Sequence, residues 1–279
     1  MNLSATKTIL VTGASGGLGN YITLRLAQPG VKIVLVAFPG TGLEDLARKV
    51  AAQGGEPHCL AADLAIESER HKAVQFAQEK LGSIDVLVNN AGIEFTSDYH
   101  DLTEQDIEKI IAVNLTAPMI LSRLVLPGML HRGAGHIVNI SSLAGKAGPA
   151  CQEPYAATKA GLIAFTASLR ATYHGTGISA SVICPGFVEA GIYEKLKRDT
   201  GYTAPALLGT SAPEAVAAAV VRAINKNLPE VIVNGLPVRP LFATTALFPR
   251  LGEFLTRKTG AHDFFKKIAA RLKAEAQKR

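Results

Sequence analysis

Short apolar runs rich in β-branched residues alternate along the chain with stretches whose apolar positions recur at helical spacing. The runs Thr8–Val11, Val31–Val36, His58–Ala62, Ile84–Asn89, Gly135–Ile140, Ile178–Cys184 and Val231–Val233 predict strands. Most are continuously apolar, as strands covered on both faces are. Amphipathic segments near 17–28, 42–53, 67–81, 103–131, 155–173 and 212–227 predict helices between them. Thr103 with Glu104, and Ser211 with Pro213, supply helix-start signals for two of these. Such alternation implies α/β architecture: a doubly wound parallel sheet of about seven strands, with right-handed crossovers placing helices on both faces.

Two segments depart from the alternation. Residues 187–211 carry three glycines and one proline with poor periodicity. They follow the C-terminal end of a strand, where ligands bind in such sheets, and read as a lid over a substrate. Residues 236–279 form a C-terminal extension to a catalytic domain of residues 1–235. In it Pro237, Pro240 and Pro249 divide an apolar stretch of Leu241, Phe242, Leu247, Phe248, Leu251, Phe254 and Leu255. A helical segment follows, with Phe264, Phe265, Ile268 and Leu272 on one face and basic residues around them. Such a helix either packs its apolar face on the domain or a subunit, or lies on an anionic membrane surface.

Charge sharpens that picture. The net charge is +6, and residues 240–279 hold nine basic against three acidic residues, so the extension carries the whole excess. Three cysteines without CxxC spacing argue against a disulfide framework or zinc site and point to a reducing, cytoplasmic setting. The seven histidines form no HxxH or HxxxH pair, so no metal is expected. The first apolar run is too short for a signal-peptide core, and no 18 consecutive apolar residues predict a membrane span. A base-reading helix and an aromatic-interleaved basic groove are both lacking, so nucleic acid is not an expected partner.

The chemistry begins where the first strand runs into Thr12-Gly13-Ala14-Ser15-Gly16-Gly17-Leu18-Gly19 and then a helix. A glycine turn there brings backbone N–H groups toward a pyrophosphate at a positive helix end. Further on, Tyr155 and Lys159 stand four apart on a predicted helix, on one face. A nearby ammonium favours the phenolate, so Lys159 is expected to lower the pKa of Tyr155 toward the range useful for acid–base work.

The Thr12-Gly13-x3-Gly17-x-Gly19 spacing resembles the cofactor fingerprint of the short-chain dehydrogenases, and further motifs follow in order. Asp63 follows the third strand, Asn89-Asn90-Ala91-Gly92 the fourth and Pro185-Gly186 the sixth, while Asn114, Ser142, Tyr155 and Lys159 match the catalytic set. The resemblance covers roughly residues 6–235. It implies a Rossmann-like fold and nicotinamide-dependent interconversion of a carbonyl and an alcohol. It also implies roles: Tyr155 as acid/base, and Ser142, thirteen residues earlier, as hydrogen-bond partner of the substrate oxygen. Lys159 holds the nicotinamide ribose, and Asn114 holds a relay water through its backbone carbonyl. The implied cofactor set is Thr12, Gly13, Ser15, Gly17, Leu18, Gly19, Asp63, Leu64, Asn90, Ala91, Gly92, Tyr155, Lys159, Pro185, Gly186 and Val188. A homodimer or homotetramer through the helices at 103–131 and 155–173 is a further implication.

Two positions depart from the family pattern. Ala37 and Phe38 stand where relatives carry the Asp that selects NAD or the Arg that selects NADP. Without a carboxylate to repel a 2′-phosphate, the site leans to NADP(H) over NAD(H), with Phe38 on the adenine and Thr41 near the phosphate. Ala190 stands where a nicotinamide-contacting Thr is common. Among the remaining polar residues, Cys184 reads as strand-end packing, and Glu153 as either pocket-facing or solvated. The expected substrate is a small carbonyl or alcohol compound, lipophilic by the apolar lid and tail. The rival reading is a nucleotide-binding regulatory or scaffolding protein without turnover.

Overall fold

The computed structural model describes residues 7–278. Arg279, counted above among the basic residues of the extension, lies outside them. Strands β1 (Thr8–Thr12), β2 (Lys32–Ala37), β3 (Glu56–Ala61), β4 (Val86–Asn89), β5 (Gly135–Ile140) and β6 (Ile178–Pro185) form the predicted sheet with a last strand. Between β6 and that strand, the two-residue β7 (Phe187–Val188) and β8 (Thr210–Ser211) pair with each other; the last strand is β9 (Glu230–Val233). The order is β3-β2-β1-β4-β5-β6-β9, parallel throughout. This is the doubly wound, Rossmann-like arrangement, whose strand order reverses between β1 and β4.

The continuous apolar runs have a direct explanation. On β1, Ile9 and Val11 enter the core under helices α1 (Gly17–Leu26) and α2 (Leu43–Ala52), while Leu10 enters the core on the other face. On β2, Ile33 and Leu35 alternate with Val34 and Val36 in the same way. Side chains alternate across a strand, and both faces here are covered, so every position is apolar. The second face is covered by α3 (Glu67–Leu81) and by a long helix built from α4 (Glu104–Ile111), a π-helical turn (Ala112–Thr116) and α5 (Ala117–Arg132). Thr103 caps α4 through a full capping box with Asp106. The span Glu104–Arg132 is apolar and long enough to cross a bilayer, but half of that apolar stretch is buried in the fold, with Leu121, Val125 and Met129 on the sheet.

After β5 come α6 (Ala144–Ala147) and α7 (Glu153–Thr172), then α8 (Gly191–Thr200) between β7 and β8, and α9 (Pro213–Lys226) before β9. The lid segment, poorly periodic in sequence, thus carries a ten-residue helix. The C-terminal residues form three helices: α10 (Arg239–Leu247), α11 (Pro249–Lys258) and α12 (Ala261–Ala276). Pro240 and Pro249 lie in the first turns of α10 and α11, where a missing N–H costs no hydrogen bond. They start helices in the stretch where the sequence showed only division. The apolar face of α12 packs on the lid: Phe264, Phe265 and Ile268 cluster with Phe187, Tyr193 and Leu196. Of the two readings of that helix, packing on the domain is the one observed.

Candidate active site

The switch point between β1 and β4 is braced from both sides. The Thr12 hydroxyl accepts from the backbone N–H groups of Asn90 and Ala91, each at 3.1 Å. The Asn90 amide in return donates to the carbonyls of Thr12 (3.2 Å) and Gly13 (3.0 Å). Thr12 and Asn90 therefore spend their side chains holding two turns together. Packing alone already requires glycine at two positions of the turn. A Cβ on Gly13 would stand 2.7 Å from the Ala91 Cα, and one on Gly19 would stand 2.0 Å from the Gly13 oxygen.

Beside this brace, α1 starts at Gly17 without a side-chain cap and without an acidic residue in its first turn. Its first N–H groups are unspent donors at the positive end of a helix, the chemistry an anionic pyrophosphate requires. Gly92 lines the adjoining cavity, and a Cβ there would lie in ordinary contact with the Lys159 ammonium (3.4 Å) and the Asn114 side-chain oxygen (3.5 Å). These features fit a dinucleotide laid across the switch point. At the far side, Ser15 donates to the Thr41 hydroxyl (2.7 Å), which donates to the Phe38 carbonyl (2.5 Å), and the Phe38 ring is 56 % exposed. Asp63 accepts from the Ala65 N–H at 2.9 Å, closing a tight turn after β3. Leu64 is buried in the core, so its side chain faces away from any ligand.

The four residues of the implied catalytic set converge where β5, α7 and the π turn meet. Asn114 sits in that π turn, a local widening of the helix common at functional positions. Its side chain clamps Ile93, accepting from the backbone N–H (2.8 Å) and donating to the carbonyl (2.9 Å). Ser141 donates to the Lys159 carbonyl at 2.8 Å, tying β5 to α7. Ser142, one residue on, accepts from the Ala144 N–H (3.1 Å) and hydrogen-bonds Tyr155. Lys159 is 4 % exposed and donates to the Ile140 carbonyl at 2.9 Å.

The electrostatics correct the expectation for Tyr155. Its pKa is pushed up to about 12, chiefly by burial, with the Ser142 hydrogen bond pulling it down and the Glu94 charge raising it. No lowering comes from Lys159, whose ammonium donates one of its three N–H groups to the Ile140 carbonyl and lies 5.5 Å from the Tyr155 ring centre. Burial lowers the Lys159 pKa to about 8. Both shifts share one cause, because an apolar site disfavours the phenolate and the ammonium alike.

These groups line a cavity of about 450 Å³ that also takes in Gly13, Gly17, Leu18, Gly19, Asn90, Ala91, Gly92, Pro185, Gly186 and Val188. Thr12, Ser15, Phe38, Asp63, Leu64 and Asn114 stand outside its lining. Ala190 lines it, and its small side chain leaves room where a threonine would reach in. Gln152 and Asn234 escaped the sequence as lining residues, and a third, apolar set was named there without being placed on the cavity. Gln152 donates 2.7 Å hydrogen bonds to Glu94 and Thr96, and burial raises the Glu94 pKa. Cys151, in left-handed backbone at φ 59°, turns the chain into that position. Asn234 sits against Gly186, where a Cβ would meet its side-chain oxygen at 2.0 Å. Leu241 and Phe242 of α10 and Phe265 of α12 complete the apolar wall. For the last set, the Phe264–Phe265 pair was the available sign.

The extension is stapled over the site at two further points. His262 accepts from the Ala150 N–H at 3.2 Å, and Lys273 donates to Asp101 at 2.7 Å, with Asp98 at 3.8 Å. Asp98, His100 and Asp101 stand close enough to share a cation, and the Lys273 ammonium already pairs with Asp101 at 2.7 Å and lies 3.8 Å from Asp98. Cys184, near Lys159, has its thiol pushed up to about 12 by burial, which keeps it out of nucleophilic chemistry.

The short chain dehydrogenase family model matches residues 7–201. The chain is 42% identical over 268 residues to the ketoacyl reductase HetN of Nostoc sp., covering 94% of this chain and 92% of that one. Over 192 residues it is 35% identical to a D-beta-hydroxybutyrate dehydrogenase of Cupriavidus necator, covering 68% of this chain and 73% of that one. A metagenomic short-chain oxidoreductase solved in complex with NADP superposes with a TM-score of 0.70 at 32% identity, covering 81% of this chain and 96% of that one.

Proposed function

The chain belongs to the short-chain dehydrogenase family, and from that membership we propose that it interconverts a lipophilic ketone and its alcohol, with Tyr155 as proton donor and acceptor. The observation that carries this reading is the meeting of Ser142, Tyr155 and Lys159 on the wall of a predominantly apolar cavity at the sheet's switch point. A bound nicotinamide supplies or accepts the hydride. In reduction Tyr155 gives its proton to the carbonyl oxygen, and in oxidation it takes the proton back from the alcohol. Ser142, already bonded to Tyr155, shares the developing charge on that oxygen. Lys159 presents an ammonium beside Gly92 on the cavity wall, suited to ribose hydroxyls. Asn114 is a positioning residue, since its side chain is spent on Ile93.

The substrate class follows from the walls. Leu143, Ile192, Leu196, Leu241, Phe242 and Phe265 face the cavity, so a long apolar substituent gains by leaving water there. For the cofactor, the lean to NADP(H) over NAD(H) is supported by the Ser15–Thr41 hydroxyl pair and the absence of a carboxylate at Ala37 and Phe38. Half-exposed Ile111, Met119 and Leu130 on the long helix support a homodimer or homotetramer. A cytoplasmic setting with peripheral membrane contact through residues 240–279 completes the reading.

Thermal stabilisation by NADPH and by NADH tests the cofactor part without a substrate. Saturation at 100 times the dissociation constant adds about 2.7 kcal/mol. Tyr155→Phe tests the chemistry: turnover of lipophilic ketones should fall by about 10²–10⁴ with NADPH stabilisation retained. Stabilisation without turnover in the wild type would favour the rival regulatory or scaffolding reading.

A further inference from the structure

The α10–α11 hairpin has two unlike ends. Inside, Leu241 and Phe242 line the cavity. About 9 Å further along the same helix, Leu247 (73 % exposed) and Phe248 (62 %) form the tip, followed on α11 by Leu251 and Phe254. The hairpin is closely packed: a Cβ on Gly252 would stand 2.3 Å from the Thr245 Cα. The exposed apolar side chains are therefore held out by a rigid element. Among the described residues nothing covers them, whereas the apolar face of α12 is covered.

Cations surround this stripe. Arg250, Arg257 and Lys258, on the same helix as Leu251 and Phe254, are all exposed, and the Lys258 ammonium lies 5.5 Å from the Phe254 ring centre. Glu253 is the acidic residue among them, and it is already paired with Arg257 at 2.8 Å. We infer that the hairpin docks on an anionic lipid bilayer, with Leu247 and Phe248 entering the interface and the arginines and lysine meeting the headgroups. The charge pattern decides the occupant. A second copy joined by a two-fold axis would set the same cations against each other, whereas an anionic leaflet supplies the missing countercharge. Each cation near such a surface tightens binding about five-fold.

Docking this way places the wall formed by Leu241 and Phe242 next to the bilayer, so that a lipophilic substrate reaches the cavity without crossing water. That consequence rests on the proposed substrate class; the docking itself does not.

The test is co-sedimentation of the full chain with phosphatidylglycerol/phosphatidylcholine vesicles and with phosphatidylcholine vesicles alone. Binding to the anionic vesicles should be at least ten-fold tighter. Leu247→Asp with Phe248→Asp should weaken it at least ten-fold, as should Arg250→Glu with Lys258→Glu. All four side chains are exposed and outside the cavity lining, so both variants keep NADPH stabilisation, which checks their fold. Equal binding to both vesicles, no binding to either, or unchanged binding by the variants would overturn the proposal. So would a wild-type self-association, measured by sedimentation, that the Leu247/Phe248 variant abolishes while vesicles bind neither protein. Turnover of a water-soluble ketone in vesicle-free buffer judges the oxidoreductase reading separately.

Discussion

Gly17, at the start of α1, and Gly191, at the start of the lid helix α8, meet backbone to backbone: a Cβ on Gly17 would stand 2.3 Å from the Gly191 nitrogen. The glycine turn and the start of α8 are thus in direct contact. Anything bound at the head of α1 lies close to Gly191.

Gly17→Ala follows from this contact. Gly17 is not among the glycines with positive φ, so alanine adds no backbone strain, only a clash that lifts the lid. Calorimetric titration should show NADPH affinity reduced at least ten-fold, while the melting temperature moves by only a few degrees. Gly128→Ala, whose Cβ would meet only the end of Arg132 at 3.4 Å, should leave affinity unchanged.

Lys159 makes stability depend on pH in a defined window. Its folded pKa is lowered to about 8 from 10.5. Between those values the unfolded chain holds a proton the native state has released, so this group's contribution to stability rises with pH. Urea unfolding of wild type and Lys159→Met, compared at pH 8 and 10.5, should show the wild type gaining roughly 3 kcal/mol on the variant. A constant difference would mean that the ammonium is not desolvated.

Phe265 joins the lid, the extension and the cavity wall. Its ring lies 5.9 Å from that of Phe187 and 5.1 Å from that of Phe264. Phe265→Ala should cost about 3–4 kcal/mol in denaturant unfolding and raise KM for bulky ketones while NADPH stabilisation persists. Lys273→Ala removes an exposed, solvent-screened ion pair with Asp101 and should leave the melting temperature nearly unchanged.

Phe38 stands exposed beside the Ser15–Thr41 pair. Phe38→Arg adds a guanidinium where a 2′-phosphate would lie, so NADPH should bind about ten-fold tighter with NADH little changed. Equal gains for both cofactors would show that the phosphate sits elsewhere.

The strands, the glycine turn, the Tyr155–Lys159 spacing and the Pro185-Gly186 turn were legible because each is local. A strand buried on both faces must be apolar at every position, and a helix places residues four apart on one side. Ser141, the neighbour of Ser142, donates to the Lys159 carbonyl, a contact between β5 and α7 that spacing alone does not give. What the chain order concealed was contact between distant segments. Gln152 reaches Glu94 across 58 positions, His262 meets Ala150 across 112, and Lys273 meets Asp101 across 172. The Tyr155 pKa failed for the same reason: spacing placed Lys159 nearby, but burial, which only packing decides, raised the phenol to about 12. Periodicity determined the sheet and the order of its motifs. Only the tertiary structure decided that the basic C-terminal helices roof the cavity, because an apolar stripe states that it will be covered and not by what.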